Sequence, residues 1–242
     1  MLQKQGFITM NNAGIKIKVK TGSRLQYLKP VIEHAFKYTN RLYDMKGIPD
    51  SWLPTSGKER SFVPILVSGV FNSGMAASSE IKVQRIKNVK GSNTIQTGSL
   101  DLIVFSDKNG HKRDAIEVKS SGRVITGTTS AKSIYEKLDA ATKQLNEIVT
   151  DKHESGKVAI VVHRMLIQLE QDLENKNTKK YDQIIKKAYL NAPKLFQQIY
   201  NENKNVLIGQ LIFDKPHEVN VSRGRQGIYS SIGLTLVARR QD

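Results

Sequence analysis

Apolar and polar residues alternate over 15–19 (Ile-Lys-Ile-Lys-Val), which predicts a short half-buried strand. The pattern then changes period. Leu25, Leu28, Ile32, Phe36, Leu42 and Tyr43 recur at helical spacing, with Ser23 as a candidate cap and Pro30 tolerated near the start. That helix is expected to stop near Gly47, ahead of Pro49 and a Gly/Pro/Ser-rich loop over 47–62. The stretch 62–77 is apolar but broken by Pro64, Gly69 and Gly74, and its period assigns no element.

Alternation resumes at Ile81, Val83 and Ile86, predicting a strand, with 91–98 as a polar connector. Residues 99–105 (Ser-Leu-Asp-Leu-Ile-Val-Phe) read as a strand, 107–110 as a turn, and 114–119 (Asp-Ala-Ile-Glu-Val-Lys) as the returning strand. After a Ser/Thr-rich segment, Ile134, Leu138, Ala141, Leu145 and Ile148 form the apolar face of a helix over about 131–149. Residues 157–162 read as a buried strand. A helical pattern is expected over 165–203, interrupted near Asn177 and Pro193, and strands over 206–213 and 232–237 follow. A meander that gains a strand through a helical crossover is a mixed α/β sheet.

Composition narrows the class. The chain has 242 residues and no cysteine, which excludes disulfide scaffolds, Cys-ligated metal sites and thiol catalysis. A single domain is expected over 1–242. No run reaches the length of a membrane span and no secretory h-region opens the chain, so a cytoplasmic protein with no membrane partner is expected. With 38 Lys+Arg against 22 Asp+Glu, the formal charge of +16 points to a polyanionic partner. The bases are spread along the chain, which suits a folded basic surface better than a basic tail.

The chemistry rests on acids within apolar strands. Asp101 and Glu117 are each flanked by apolar residues, and Lys119 follows Glu117 on the same strand face. Buried carboxylates need compensation, and a divalent cation would compensate two of them together. The turn decides whether they meet. A two-residue Asn109-Gly110 turn pairs Asp101 with Val118 and separates the acids. A three-residue turn, with Gly110 in the left-handed region, sets Asp101 opposite Glu117; this second register is the expected one.

Gly98-Ser99-Leu100-Asp101 followed by Ile116-Glu117-Val118-Lys119 resembles the Asp…Glu-x-Lys signature of the PD-(D/E)XK nuclease superfamily. Leu100 stands where that signature usually has Pro. Glu-x-Lys by itself carries little in so lysine-rich a chain, since it recurs at 80–82, 174–176 and 202–204. The resemblance covers about 24–163 and implies a restriction endonuclease-like core, a mixed β-sheet flanked by helices. Residues 164–242 would be a C-terminal helical and two-stranded addition. It also implies a metal-dependent endonuclease acting on DNA, restriction-type or phage-defence, with a homodimer as the common assembly of such compact enzymes. A junction resolvase fits nearly as well.

On that resemblance, Asp101, Glu117 and the Val118 carbonyl would bind Mg²⁺, with Mn²⁺ able to substitute. The metal would activate a water, and Lys119 would orient it or stabilise the transition state. A further acid is expected from Glu80, with Glu33 as the other candidate, although Glu33 also stands i,i+4 from Lys37. Gln144 and Lys132 read as positions on a solvated helix face that the family's helix residue could occupy. Thr128 and Ser130 are candidates for phosphate contact near a helix start, and Arg223 and Arg225 for contact from a basic loop. The rival reading is a nucleic-acid-binding protein whose hairpin acids are structural. The five histidines show no metal-ligand spacing, and no phosphate-binding glycine loop is present.

Overall fold

Seven strands and four helices form among the residues described in the computed structural model, which are 14–21, 23–45, 59–89, 91–107, 110, 112–124, 131–149, 156–169, 178–219 and 228–241. In chain order they are β1 (Gly14–Val19), α1 (Leu28–Asp44), α2 (Glu59–Asn72), β2 (Ala76–Val89), β3 (Ser92–Phe105), β4 (Arg113–Val124), α3 (Lys132–Asn146), β5 (Gly156–Leu169), α4 (Thr178–Glu202), β6 (Val206–Val219) and β7 (Ile228–Gln241). The strands make one mixed sheet in the order β1-β6-β7-β5-β4-β3-β2. β4 and β5 are parallel, joined through α3, and every other neighbouring pair is antiparallel. The fold is therefore α/β, with a helix-flanked mixed sheet.

Helices cover both faces. On one, α1 and α2 pack over Leu102, Val104, Ile116, Val118, Ile160 and Leu236. On the other, Ile134, Leu138, Ala141 and Leu145 of α3, with Leu195, Phe196 and Ile199 of α4, cover Ala115, Ala159, Val161 and Val237. The first half of α4 lies over Met165, Ile167, Ile212 and Ile232. The α1 and α3 faces are the stripes the sequence predicts, and Leu25, Leu28, Ile32 and Phe36 are all buried. Ser23 does not cap α1: its Oγ accepts from the Leu25 N–H (3.2 Å), closing the turn ahead of the helix.

Three expectations are corrected. The loop expected over 47–62 gives way at Glu59 to α2, which reaches Asn72 within the stretch left without an element, and its Phe62, Val63, Ile65, Leu66 and Val70 are buried around much of its circumference because it sits between α1 and the sheet. Pro64 falls in its second turn, so the helix forfeits a hydrogen bond near its start and continues. The polar connector 91–98 is the first half of β3. The helical pattern expected over 165–203 holds only from Thr178, where α4 runs to Glu202 and continues through Pro193 without the expected interruption, whereas 165–169 is the last third of β5, a strand covered on both faces that shows no alternation.

Gly69 marks the closest approach of α2 to α1. A Cβ there would lie 2.4 Å from the Val31 carbonyl oxygen, a backbone atom that cannot step aside. Gly69→Ala is expected to destabilise the protein by about 1–3 kcal/mol through overpacking. Urea unfolding measures it, and an unchanged midpoint would show that the helices separate freely.

Candidate functional site

The β3–β4 turn sets the site. Phe105 pairs with Arg113, Val104 with Asp114, Ile103 with Ala115 and Leu102 with Ile116; the same register carried one step further sets Asp101 level with Glu117, where the pairing ends and the Asp101 carboxylate takes the Val118 N–H. Gly110 has φ +69°, in the left-handed region, and the Ser106 N–H donates to the Lys112 carbonyl (2.9 Å). The register is the one expected for the three-residue turn; residues 108, 109 and 111 lie outside those described.

Glu117 alternates with Ile116 and Val118, which belong to the α1/α2 core, so its side chain points to the α3 side of the sheet. It is 3% exposed. Lys119 Nζ meets Glu117 Oε1 at 3.0 Å, and Arg85 Nη2 of β2 meets Oε2 at 3.1 Å. Arg85 is itself buried, and its Nη1 and Nη2 donate to the carbonyls of Gln144 (2.8 Å) and Ser99 (2.6 Å). One guanidinium thus ties β2, β3, β4 and α3 together around the buried acid. The sequence reading missed Arg85. Its position in the series Ile81, Val83, Arg85 is the one trace in the sequence, and a base in so lysine-rich a strand does not stand out by it.

Asp101 Oδ2 accepts the Val118 backbone N–H at 2.7 Å. Burial is the largest influence on its carboxyl and pushes its pKa above the ordinary value. The Val118 N–H and Lys119 oppose that rise, while the negative charges of Glu117 and Glu80 add to it. The Val118 side chain packs into the opposite core, so at this site Val118 acts through its backbone.

Glu80 occupies an unusual backbone position. Its φ is +55°, although β2 and β3 keep one register on either side of it, with Ser79 opposite Leu102 and Ile81 opposite Leu100. The facing of side chains reverses there. Ala77 and Leu102 pack with the α1/α2 core, whereas Val83 and Leu100 pack with the α3 core. A non-glycine residue held in this region costs about 1–2 kcal/mol, and the surrounding sheet holds it in place. Glu80 is exposed and lies by register opposite Asp101. Of the two candidate glutamates, Glu80 is thus beside the pair. Glu33 is on α1, across the sheet, where Lys37 binds it (2.7 Å) and lowers its pKa.

Gln144 is half-buried, contrary to the solvated position expected, and its Oε1 is buried with no hydrogen-bond partner among the described residues. Lys132 stands at the start of α3 with Glu136 4.0 Å away. Thr128, Ser130, Arg223 and Arg225 lie outside the described residues. One step beyond Lys119 on the same face, Ser121 Oγ bonds His163 Nδ1 (2.7 Å), so His163 is a buried, satisfied histidine. Asp114, the other buried acid of β4, is structural: the Tyr27 hydroxyl donates to it and Arg240 Nη1 lies 2.7 Å away.

These residues fit a divalent cation in their donor chemistry. Asp101 and Glu117 offer carboxylate oxygens, the donor type a hard dication takes, and burial together with the nearby acids Glu117 and Glu80 disfavours the charge on Asp101, which such an ion would offset. Glu117 would have to yield an oxygen from a cationic partner to join it. Among the described residues, no three His, Cys, Asp or Glu side chains already converge into a ligand cage. The chain matches no protein-family model, no curated protein and no solved structure. No helix among the described residues is long and apolar enough to cross a membrane.

Proposed function

We propose that this protein is a metal-dependent endonuclease of the PD-(D/E)XK kind, hydrolysing DNA phosphodiester bonds in a restriction or defence role. The observation that carries the reading is that Asp101, held on the Val118 N–H, lies close to the Glu117–Lys119 pair where β3 and β4 part. Their strands belong to an order of helix, three-strand meander, crossover helix and parallel strand, the order the sequence resemblance implies. The +16 charge supplies the matching preference for a phosphate backbone.

In this reading Asp101 and Glu117, with the Val118 carbonyl, would hold Mg²⁺ or Mn²⁺, and Glu80 would add a third acid. The ion supplies neutralisation of phosphate charge and a more acidic water. Lys119 positions the attacking water and stabilises charge on the phosphorus oxygens, and the Val118 N–H fixes the Asp101 carboxylate. Arg85 holds Glu117 in register between substrate encounters. A homodimer would present two such sites for cutting both strands.

Purified protein is expected to nick or cut plasmid DNA with Mg²⁺ or Mn²⁺, to stop on chelation, and to recover when metal is restored. Affinity should fall steeply with salt, the slope of log K against log[salt] being about −0.9 per phosphate neutralised. The engagement of both Glu117 oxygens by Lys119 and Arg85 favours the rival, a DNA-binding protein without catalysis. Binding without cleavage under every metal tried would establish that rival.

A further inference from the structure

β2 and β3 are much longer than their place in the sheet requires. β3 pairs with β4 only over 102–105, yet the β2–β3 pairing continues from Ile81–Leu100 out to Val89–Ser92. The outer half is a two-stranded ribbon that starts at the facing reversal beside Glu80 and Asp101 and is joined on its β2 edge by an antiparallel bridge of Arg85 with Ile148, just past α3.

The two faces of the ribbon differ. One turns toward α3: Val83 packs with that core and Arg85 is buried. The ribbon is pinned there, since the Ile86 N–H donates to the Glu147 carbonyl (2.6 Å) and the Val149 N–H to the Gln84 carbonyl (2.9 Å). On the other face every residue is exposed, from Lys82 to Asn88 and from Asn93 to Ser99. Gln84 pairs across to Thr97, and Ile86 to Ile95, which are 44% and 65% exposed.

Composition selects the occupant. Between Glu80 and Asp101 the chain has four bases and no acid, with Arg85 buried on Glu117 and Lys82 the base on the exposed face among the described residues. The exposed face carries amides, hydroxyls, one lysine and two isoleucines. A surface meant only for solvent has no use for exposed paired isoleucines, and a site for another protein's apolar patch would not alternate them with amides. Gln can bond adenine in a bidentate manner, Lys can reach guanine O6 and N7, and aliphatic groups can meet the thymine methyl. Strands about 4.8 Å apart make a ribbon that enters a major groove about 12 Å wide. Residues 82–88 span about 20 Å, the rise of about six base pairs.

We infer that the β2–β3 ribbon is a base-reading arm whose exposed face, turned away from the α3 side that Glu117 and Lys119 occupy, lies in the major groove of duplex DNA. This deepens the nuclease reading and rests on it for the polyanionic partner. The anchoring to α3 makes the arm rigid, so its position relative to the site is set before DNA arrives.

The test uses the full chain and plasmid DNA. The triple variant Gln84→Ala/Ile86→Ser/Ile95→Ser is expected to lose about tenfold or more in duplex affinity, with an unchanged circular dichroism spectrum and unchanged Mn²⁺ binding. Because the chain has no cysteine, Thr97→Cys gives a unique attachment point for a tethered iron–EDTA cleaver. Its cuts should be staggered across the major groove. Wild-type affinity in the triple variant, or a minor-groove stagger, overturns the arm while leaving the nuclease reading intact. An unmodified protein that binds no duplex at all overturns both.

Discussion

Lys119→Ala is expected to lower plasmid cleavage by at least about 100-fold while leaving duplex binding nearly unchanged. The size follows from what one preorganised charge contributes where negative charge develops in a transition state. Binding survives because Lys119 is one base among 38. Lys119 also neutralises one oxygen of Glu117, so the variant should be compared by circular dichroism and by Mn²⁺ affinity, both of which should persist. Cleavage at the wild-type rate would falsify the assignment of Lys119 and with it the proposed chemistry.

The second large effect is on stability. Arg85→Met is expected to destabilise the fold by about 3 kcal/mol. The substitution leaves a 3%-exposed Glu117 with one cation in place of two, and it strips the Ser99 and Gln144 carbonyls of a donor. Both partners of the ion pair are almost fully buried, so solvent does little to soften the loss. Adding Glu117→Gln removes the charge that Arg85 balances, and the double variant should recover about 1 kcal/mol or more relative to additivity. Chemical denaturation of the four proteins in that cycle gives the coupling directly. Strict additivity would mean that Arg85 acts only through the two carbonyls.

Arg85 illustrates why part of the site was hard to read. Asp101, Glu117 and Lys119 could be picked out because each is a charge inside an apolar strand, an anomaly visible at its own position. Arg85 lies in a lysine-rich strand where one more base draws no notice, and its meaning appears only once β2 is laid beside β3 and β4. Glu80 is similar. Its sequence context suggested a nearby acid, but the left-handed backbone that turns the strand over at Asp101 is a property of two strands accommodating each other.

The same division runs through the fold. Local periodicity was enough for the α1 and α3 faces, for 99–105 and 114–119 as strands, and for a mixed sheet, because burying one face imposes a period that the residues must carry themselves. Net charge is likewise legible without geometry, since it is a sum over residues, and the +16 is what motivates the proposed polyanionic partner. Tertiary structure alone decided that β7 lies between β5 and β6, that β1 closes the far edge, and that 91–98 is a strand at all. Those outcomes depend on pairing between distant segments, and a segment whose partner satisfies its backbone needs no apolar pattern of its own. Whether Asp101 faces Glu117 belonged to neither alone: the sequence offered two turns, and the register of the folded hairpin selected one.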